Sequence, residues 1–379
     1  MPIHRLYSKW MYNWEHRLTT RDTNRVVRPL EYGLDWTEDW PVQVDRGGDS
    51  EEEYLLRLNA AIVADSERFY GYERVPDFRL EHRLPELFPT NNRQRHQEQR
   101  LRRKALEGKL PQAEFLRFPS PVQTPYPENN VCNARWFPAK RPTKAAVIVL
   151  PQWNADAFSH NGLCTILNQF GISALRLSKP YHDVRRPAEL ERSDYAVSAN
   201  IGRTIDACRQ AVTDIRSCLD WLESQGYEKF GVLGTSLGSC YSFIAAAHDP
   251  RIQVAAFNHA STYFADVVWT GQSTRHIRAA LEGKITREQL RQLWLSISPM
   301  AFMDKFAATK RKVLVVYGRY DLTFLPEFSQ QVIEEFRKRA LDFTYRVLPC
   351  GHYTTGETPY KYMDGWHLCK FMLGAFQQV

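Results

Sequence analysis

The chain has 379 residues, 43% of them hydrophobic and 13% aromatic, which is enough apolar matter for one large core or two and excludes a disordered polymer. Its formal charge of +7 is a small excess of 50 basic over 43 acidic residues. Much of the local excess lies in one run, with Arg93, Arg95, Arg100, Arg102, Arg103, Lys104 and Lys109. The run has no interleaved aromatics and no nucleic-acid-binding pattern, so it reads as a solvated helix face and excludes a nucleic-acid partner as the leading expectation. Seven cysteines, an odd number with no Cys-x-x-Cys, read as buried thiols of a protein in a reducing cytoplasm. The stretch Met1–Trp14 lacks the apolar centre of a signal peptide, and the most apolar run, Ala145–Leu150, is far too short to span a bilayer.

Residues 1 to about 110 read as a helical extension packed on a main domain. Trp10, Trp14, Trp36 and Trp40 are scattered among charges without strand alternation. Glu51–Tyr70 carries Tyr54, Leu55, Leu58, Ile62 and Phe69 near helical spacing, and Asn92–Leu110 is a second, charged helix stopped by Pro111. Either this region packs by its aromatics, or it covers one side of a substrate cleft.

From Phe115 the texture changes. Phe115–Val122 and Val131–Phe137 read as strands joined by a Pro-rich turn. Ala145–Leu150 is an uninterrupted apolar run, as expected of a strand buried on both faces of a parallel sheet. A helix ended by Gly171, a strand Ile172–Leu177 and a long amphipathic helix follow. In that helix Ile201, Ile205, Cys208, Val212, Ile215, Leu219 and Leu222 step by four and three. After a strand at Val254–Phe257, residues 263 to 310 interrupt the rhythm with two candidate helices, Ser273–Glu282 and one opened by the capping-box pattern Thr286–Gln289. Strands at Val313–Tyr317 and Phe343–Leu348, each followed by a helix, complete the alternation, which predicts parallel βαβ units in a doubly wound sheet.

The chemistry centres on Gly234-Thr235-Ser236-Leu237-Gly238, where an apolar strand runs into a helix of small and apolar residues. A serine at such a turn projects its hydroxyl, and the flanking glycines admit the close approach of strand and helix. A hydroxyl is a poor nucleophile unless an imidazole takes its proton and a carboxylate orients that imidazole. Asp321 falls just past the strand Val313–Tyr317, and His352 just past Phe343–Leu348, in the chain order serine, acid, histidine. His182 and His259 could face the same cleft, but only His352 follows the last strand. Asp266 is the rival acid. There is no metal-binding pattern and no phosphate-binding glycine loop, so neither metal nor cofactor is expected.

These motifs resemble the α/β-hydrolase superfamily over residues 115 to 379, most nearly its carboxylic-ester hydrolases and abhydrolase-domain proteins. The resemblance implies an α/β-hydrolase fold with a central, mostly parallel sheet of about eight strands and helices on both faces. The catalytic domain would span 111–379, with a helical lid at about 263–310 and the N-terminal extension at 1–110. It further implies a nucleophile elbow at Ser236 and an oxyanion hole formed by the N–H of Leu237 and a second donor after Ala145–Leu150. Many relatives have His-Gly at that second position. This chain has Pro151-Gln152-Trp153, and because Pro151 has no N–H, Gln152 or Trp153 must donate. Tyr181, His182, Tyr263, Trp269 and Trp153 are candidates to line a substrate pocket. The implied function is hydrolysis of a small-molecule carboxylic ester or thioester by the set Ser236, Asp321 and His352. Cleavage of amides by the same groups is the runner-up; Ser239 after Gly238 departs from the glycine usual in prolyl-peptidase relatives. A silent scaffold acting through its basic helices is the reading from another class.

Overall fold

In the computed structural model, which describes residues 2–90 and 92–379, the alternation of strands and helices closes into one nine-stranded sheet. The strands are β1 (Arg79–Arg83), β2 (Ala113–Pro119), β3 (Val131–Phe137), β4 (Ala145–Leu150), β5 (Ser173–Ser178), β6 (Lys229–Thr235), β7 (Ile252–Asn258), β8 (Lys312–Gly318) and β9 (Phe343–Leu348). Their order across the sheet is β1-β2-β3-β5-β4-β6-β7-β8-β9. The pairs β1–β2, β2–β3 and β3–β5 are antiparallel, and every pair from β5 to β9 is parallel.

Each class of strand carries the sequence its position demands. All residues of β4 and β5 are buried, because helices cover both faces of the sheet there. The ninth strand, beyond the eight expected, is β1. Its sequence Arg-Leu-Glu-His-Arg is mostly exposed and charged, which suits an edge strand and hides it from a search for apolar alternation. The helix Ile201–Ser224 buries Ile205, Cys208, Val212, Ile215 and Leu219 against one face, and Asn200 caps it by accepting the Arg203 N–H at 2.8 Å. On the opposite face, Leu368, Met372 and Phe376 of the helix Tyr360–Phe376 join Cys164 and Leu167 of the helix Asn161–Gln169 in a second apolar layer.

The chain leaves β4 for β5 on one side and returns to β6 on the other, so β4 and β6 are neighbours that wind in opposite directions. In such sheets the crevice beyond the carboxyl ends of the two strands is where ligands bind. Residues 151–154 and Ser236 occupy those two ends.

The N-terminal region begins with a helix, Pro2–Thr20, which the scattered tryptophans did not reveal. The helix expected at Glu51–Tyr70 is divided into Glu51–Ala64 and a single turn, Ser66–Phe69. The basic helix spans Asn92–Leu106; the side chain of Arg93 lies outside the described residues. The stretch after β7 forms the helices Phe264–Thr270, Arg275–Leu281 and Arg287–Leu293, and the Thr286 capping box is present. Trp294 at its end is fully buried, with its ring 5.5 Å from that of Phe264. The helix Glu51–Ala64 docks on this insertion: Gln289 donates to Glu52 at 2.7 Å and the Ser296 hydroxyl to Asn59 at 2.5 Å. All seven cysteines are buried free thiols. Among the described residues no helix is long and apolar enough to cross a membrane.

Candidate active site

Ser236 sits between β6 and the helix Leu237–His248 with φ 58° and ψ −120°. That conformation costs a residue with a side chain about 1–3 kcal/mol and persists only where the surroundings enforce it. Here the Ser236 N–H is held by the Asn258 carbonyl at the end of β7, 2.7 Å away. Crowding enforces the rest. A Cβ on Gly234 would overlap the Gly238 carbonyl, and one on Gly238 would overlap the carbonyl of Leu150. The first turn of the helix therefore packs directly on the carboxyl end of β4.

The imidazole of His352 meets this hydroxyl, with Nε2 3.0 Å from Ser236 Oγ. Its Nδ1 lies 2.9 Å from Asp321 Oδ2. Asp321 Oδ1 accepts the N–H groups of Thr323 and Phe324 at 2.7 and 2.8 Å, and the Phe324 ring lies parallel to the imidazole at 5.4 Å. The carboxylate is thus fixed by its own loop and the ring by a stacked partner. Burial opposes the charge on Asp321, but the two imidazoles beside it outweigh that and hold its carboxyl well below the usual range. Burial likewise opposes the charged form of His352, yet the Asp321 carboxylate and, more weakly, Glu15 leave it above its ordinary value. Since Nδ1 faces a carboxylate, it carries the proton and leaves Nε2 free to accept one from Ser236.

His259, named with His182 as a possible rival, is the second imidazole. It is buried just after β7, its Nδ1 lies 2.8 Å from the same Asp321 Oδ2, and its ring is 4.4 Å from that of His352. The contact is not aligned as a hydrogen bond. Burial and the neighbouring His352 push its pKa down, which favours a neutral ring. Among the described residues, His259, Asp321 and His352 alone bring three metal-type donor atoms within 4.8 Å of one another. Asp266, the rival acid, is instead bound bidentately by Arg291, at 2.7 Å to each oxygen.

Leu237 opens its helix, so its N–H belongs to the first turn, which has no intrahelical acceptor. Leu237, Gln152 and Trp153 all line the same cavity as Ser236. Buried groups behind the 151–154 loop brace it. Lys179 Nζ donates to the Gln152 carbonyl at 3.1 Å, and the Asn154 N–H donates to His182 Nε2 at 3.2 Å. His182 Nδ1 is 2.8 Å from the Pro180 carbonyl, which fixes the tautomer that accepts at Nε2. Trp153 is pinned through Nε1 to the Ser193 carbonyl at 2.9 Å.

The cavity above Ser236 measures about 1340 Å³. Its lining includes the polar Asp22, Gln94 and Arg192 and the apolar Leu163, Ile166 and Leu373. Of the five expected pocket residues Trp153 lines it and the other four do not. Tyr181 is fully buried against the rings of Tyr126 and Tyr195, and His182 stands behind the loop. Tyr263 lies under Arg291 and Trp269 under Arg278. The insertion does reach the cavity, through the apolar Phe264, Val267 and Val268 of its first helix and the small polar Ser273 and Thr274 that follow it. Phe264, Val267 and Val268 lie at i, i+3 and i+4 on one face of a helix, a face the aromatics at 263 and 269 do not share. Helical phase would have found them where a preference for aromatics did not.

Comparison with known proteins agrees with this fold. A model of the family described as alpha/beta hydrolase domain containing 18 matches residues 160–314, less than half of the chain. No curated protein matches the sequence significantly. Among solved structures, the chain is similar to acetyl xylan esterase 1 from Thermoanaerobacterium sp. JW/SL YS485, with 13% identity and a TM-score of 0.54 over 91% of this chain and 99% of that one. An acetyl xylan esterase from Paenibacillus sp. R4 gives 9% identity and 0.53 over 87% and 96%. The acylaminoacyl peptidase of Pyrococcus horikoshii gives 9% and 0.50 over 68% of this chain and 45% of its own, so this chain spans less than half of that protein's length. The fold is the α/β-hydrolase fold that the sequence resembles.

Proposed function

Given an α/β-hydrolase fold, we propose that the chain is a serine hydrolase that cleaves carboxylic esters or thioesters through an acyl-enzyme on Ser236. The observation that carries this reading is the continuous contact from Ser236 Oγ through His352 to Asp321, at 3.0 and 2.9 Å, facing a cavity. Ser236 Oγ attacks the ester carbonyl while His352 Nε2 takes its proton, and Asp321 stabilises the imidazolium. The N–H of Leu237, with that of Gln152 or Trp153, receives the charge developing on the carbonyl oxygen. The imidazolium returns its proton to the leaving alcohol or thiol. Water then enters and loses a proton to His352 as it attacks the acyl carbon; the bond to Ser236 Oγ breaks, the acid leaves, and His352 returns the proton to Oγ. The stretch 263–310 acts as a lid, with Phe264, Val267 and Val268 setting the fit of the acyl group.

A panel of acyl esters of graded length, with matched thioesters and amides, tests the reading. Ester or thioester turnover is expected from the native chain and at most about 10⁻³ of it from Ser236→Ala. Turnover of the amides alone would move the assignment to a peptidase or amidase, the activity named for the Pyrococcus horikoshii neighbour. Turnover unchanged in Ser236→Ala would end the assignment.

A further inference from the structure

The N-terminal helix Pro2–Thr20 delivers one side chain beside the candidate histidine. Glu15 is fully buried, and the loop carrying His352 closes on its carboxylate. Oε1 accepts the Tyr353 N–H at 2.9 Å, and Oε2 accepts both the N–H and the hydroxyl of Thr354, each at 2.9 Å. The Thr354 hydroxyl accepts the Gly351 N–H at 2.6 Å, so four consecutive residues wrap around one carboxylate. Gly351 is bare on the side that faces it, where a Cβ would overlap the Glu15 carboxyl group.

Anchoring the helix does not require this arrangement. Tyr7 reaches the Pro349 carbonyl and the Tyr360 hydroxyl, and Thr19 donates to Gln272 at 2.6 Å. A buried carboxylate is costly unless its surroundings use the charge. Here all three partners are donors, and a neutral amide would turn its own N–H₂ against one of them. We propose that Glu15 is a positioning residue for His352: it holds the loop Gly351–Thr354 so that Nε2 faces Ser236, and it places a second negative charge beside the imidazole. The proposal rests on the reading of Ser236 and His352 as the acyl-transfer pair.

The ionisable and hydroxyl groups facing His352 are Asp321 and His259 from the loops after β8 and β7, Ser236 from the elbow, Tyr353 from its own loop, and Glu15 from the helix. Around Glu15 stand Asp321, His352 and Cys350, with Arg25 bound to the Tyr353 hydroxyl at 3.4 Å and Asp22 near that hydroxyl. Burial and then Asp321 push the Glu15 carboxyl up, while the Tyr353 and Thr354 N–H groups pull it back. Burial lowers His352, and Asp321 followed by Glu15 raises it. Removing the Glu15 charge therefore lowers the His352 pKa.

Two readouts on the full chain test this, one of them independent of catalysis. The first is the His352 pKa from histidine ring NMR, assigned with His352→Gln. The second is the rate constant for labelling by a fluorophosphonate as a function of pH. In Glu15→Gln the expectation is a lower His352 pKa, an acid limb of labelling displaced to lower pH, and a plateau reduced about tenfold or more. An unchanged pKa, or a reduced plateau without displacement, overturns the proposal and leaves Glu15 a fold anchor. If Glu15→Gln does not fold, Glu15→Asp, which keeps the charge but withdraws it, should show smaller changes in the same direction; native values overturn the proposal. If the native chain is not labelled at all, the hydrolase reading fails, and the NMR arm alone decides the role of Glu15.

Discussion

The two halves of the candidate site are held by different means. The Ser236 half is local: two glycines within the motif, a carbonyl at the end of the adjoining strand and the first turn of the following helix define its shape. The His352 half is not. Its loop closes on a carboxylate 338 residues away in the chain from the amide that binds it. A short motif can encode the first. Only the folded molecule assembles the second, which makes the N-terminal helix part of the site rather than an appendage to it.

The comparison can be broken at its strongest point. Ser236→Ala and His352→Ala should each lose at least about 10³-fold in kcat while keeping the native fold, because they act as one unit. Gly238→Ala should fail differently: its methyl meets carbonyls of Leu150 and Pro151, so soluble yield and Tm fall before kinetics can be read. Loss of activity without loss of Tm in that variant would mean that the elbow can relax.

Next in size is the acid. Asp321→Asn should lose about 10²-fold or more, since the wrong tautomer of His352 is then favoured, whereas Asp266→Asn should leave kcat within a few-fold. Asp266 is committed to Arg291, so a large kinetic effect there would move the acid to the helix Phe264–Thr270. A subtler effect concerns the insertion. Val268→Phe should change the ratio of kcat/KM between short and long acyl esters several-fold, and Trp269→Ala should change it less, because only Val268 lines the cavity. The reverse ranking would mean that the helix Phe264–Thr270 turns another face to substrate.

The smallest expected effect is a pH displacement. His352 lies above its ordinary imidazole value, and its protonated form cannot accept the Ser236 proton. The acid limb of kcat/KM should therefore have its midpoint above about 6.5, with activity rising as pH increases through it. A midpoint below that value would mean that the Asp321 and Glu15 charges do not reach the imidazole.

What was legible in the sequence follows the same division. Apolar runs such as Ala145–Leu150 and the 3.6-residue stepping of Ile201–Leu222 gave the buried strands and the long helix, because burial on a sheet imposes those patterns directly. Ser236, Asp321 and His352 could be named because each follows a strand end. The edge strand β1 was missed because exposure removes alternation. Glu15 was missed because nothing within reach of Trp14-Glu15-His16 marks a carboxylate destined for the core. The pocket aromatics were expected from residue type, whereas Tyr181 and His182 serve packing and the bracing of the 151–154 loop.

The central claim is that the environment of Ser236 makes its hydroxyl a nucleophile, and the most direct measurement is the site of covalent capture. After treatment with a fluorophosphonate at neutral pH, peptide mapping by mass spectrometry should find one adduct, on Ser236, absent from His352→Ala. A folded native chain that takes up no label, or takes it up on another residue, would contradict the account.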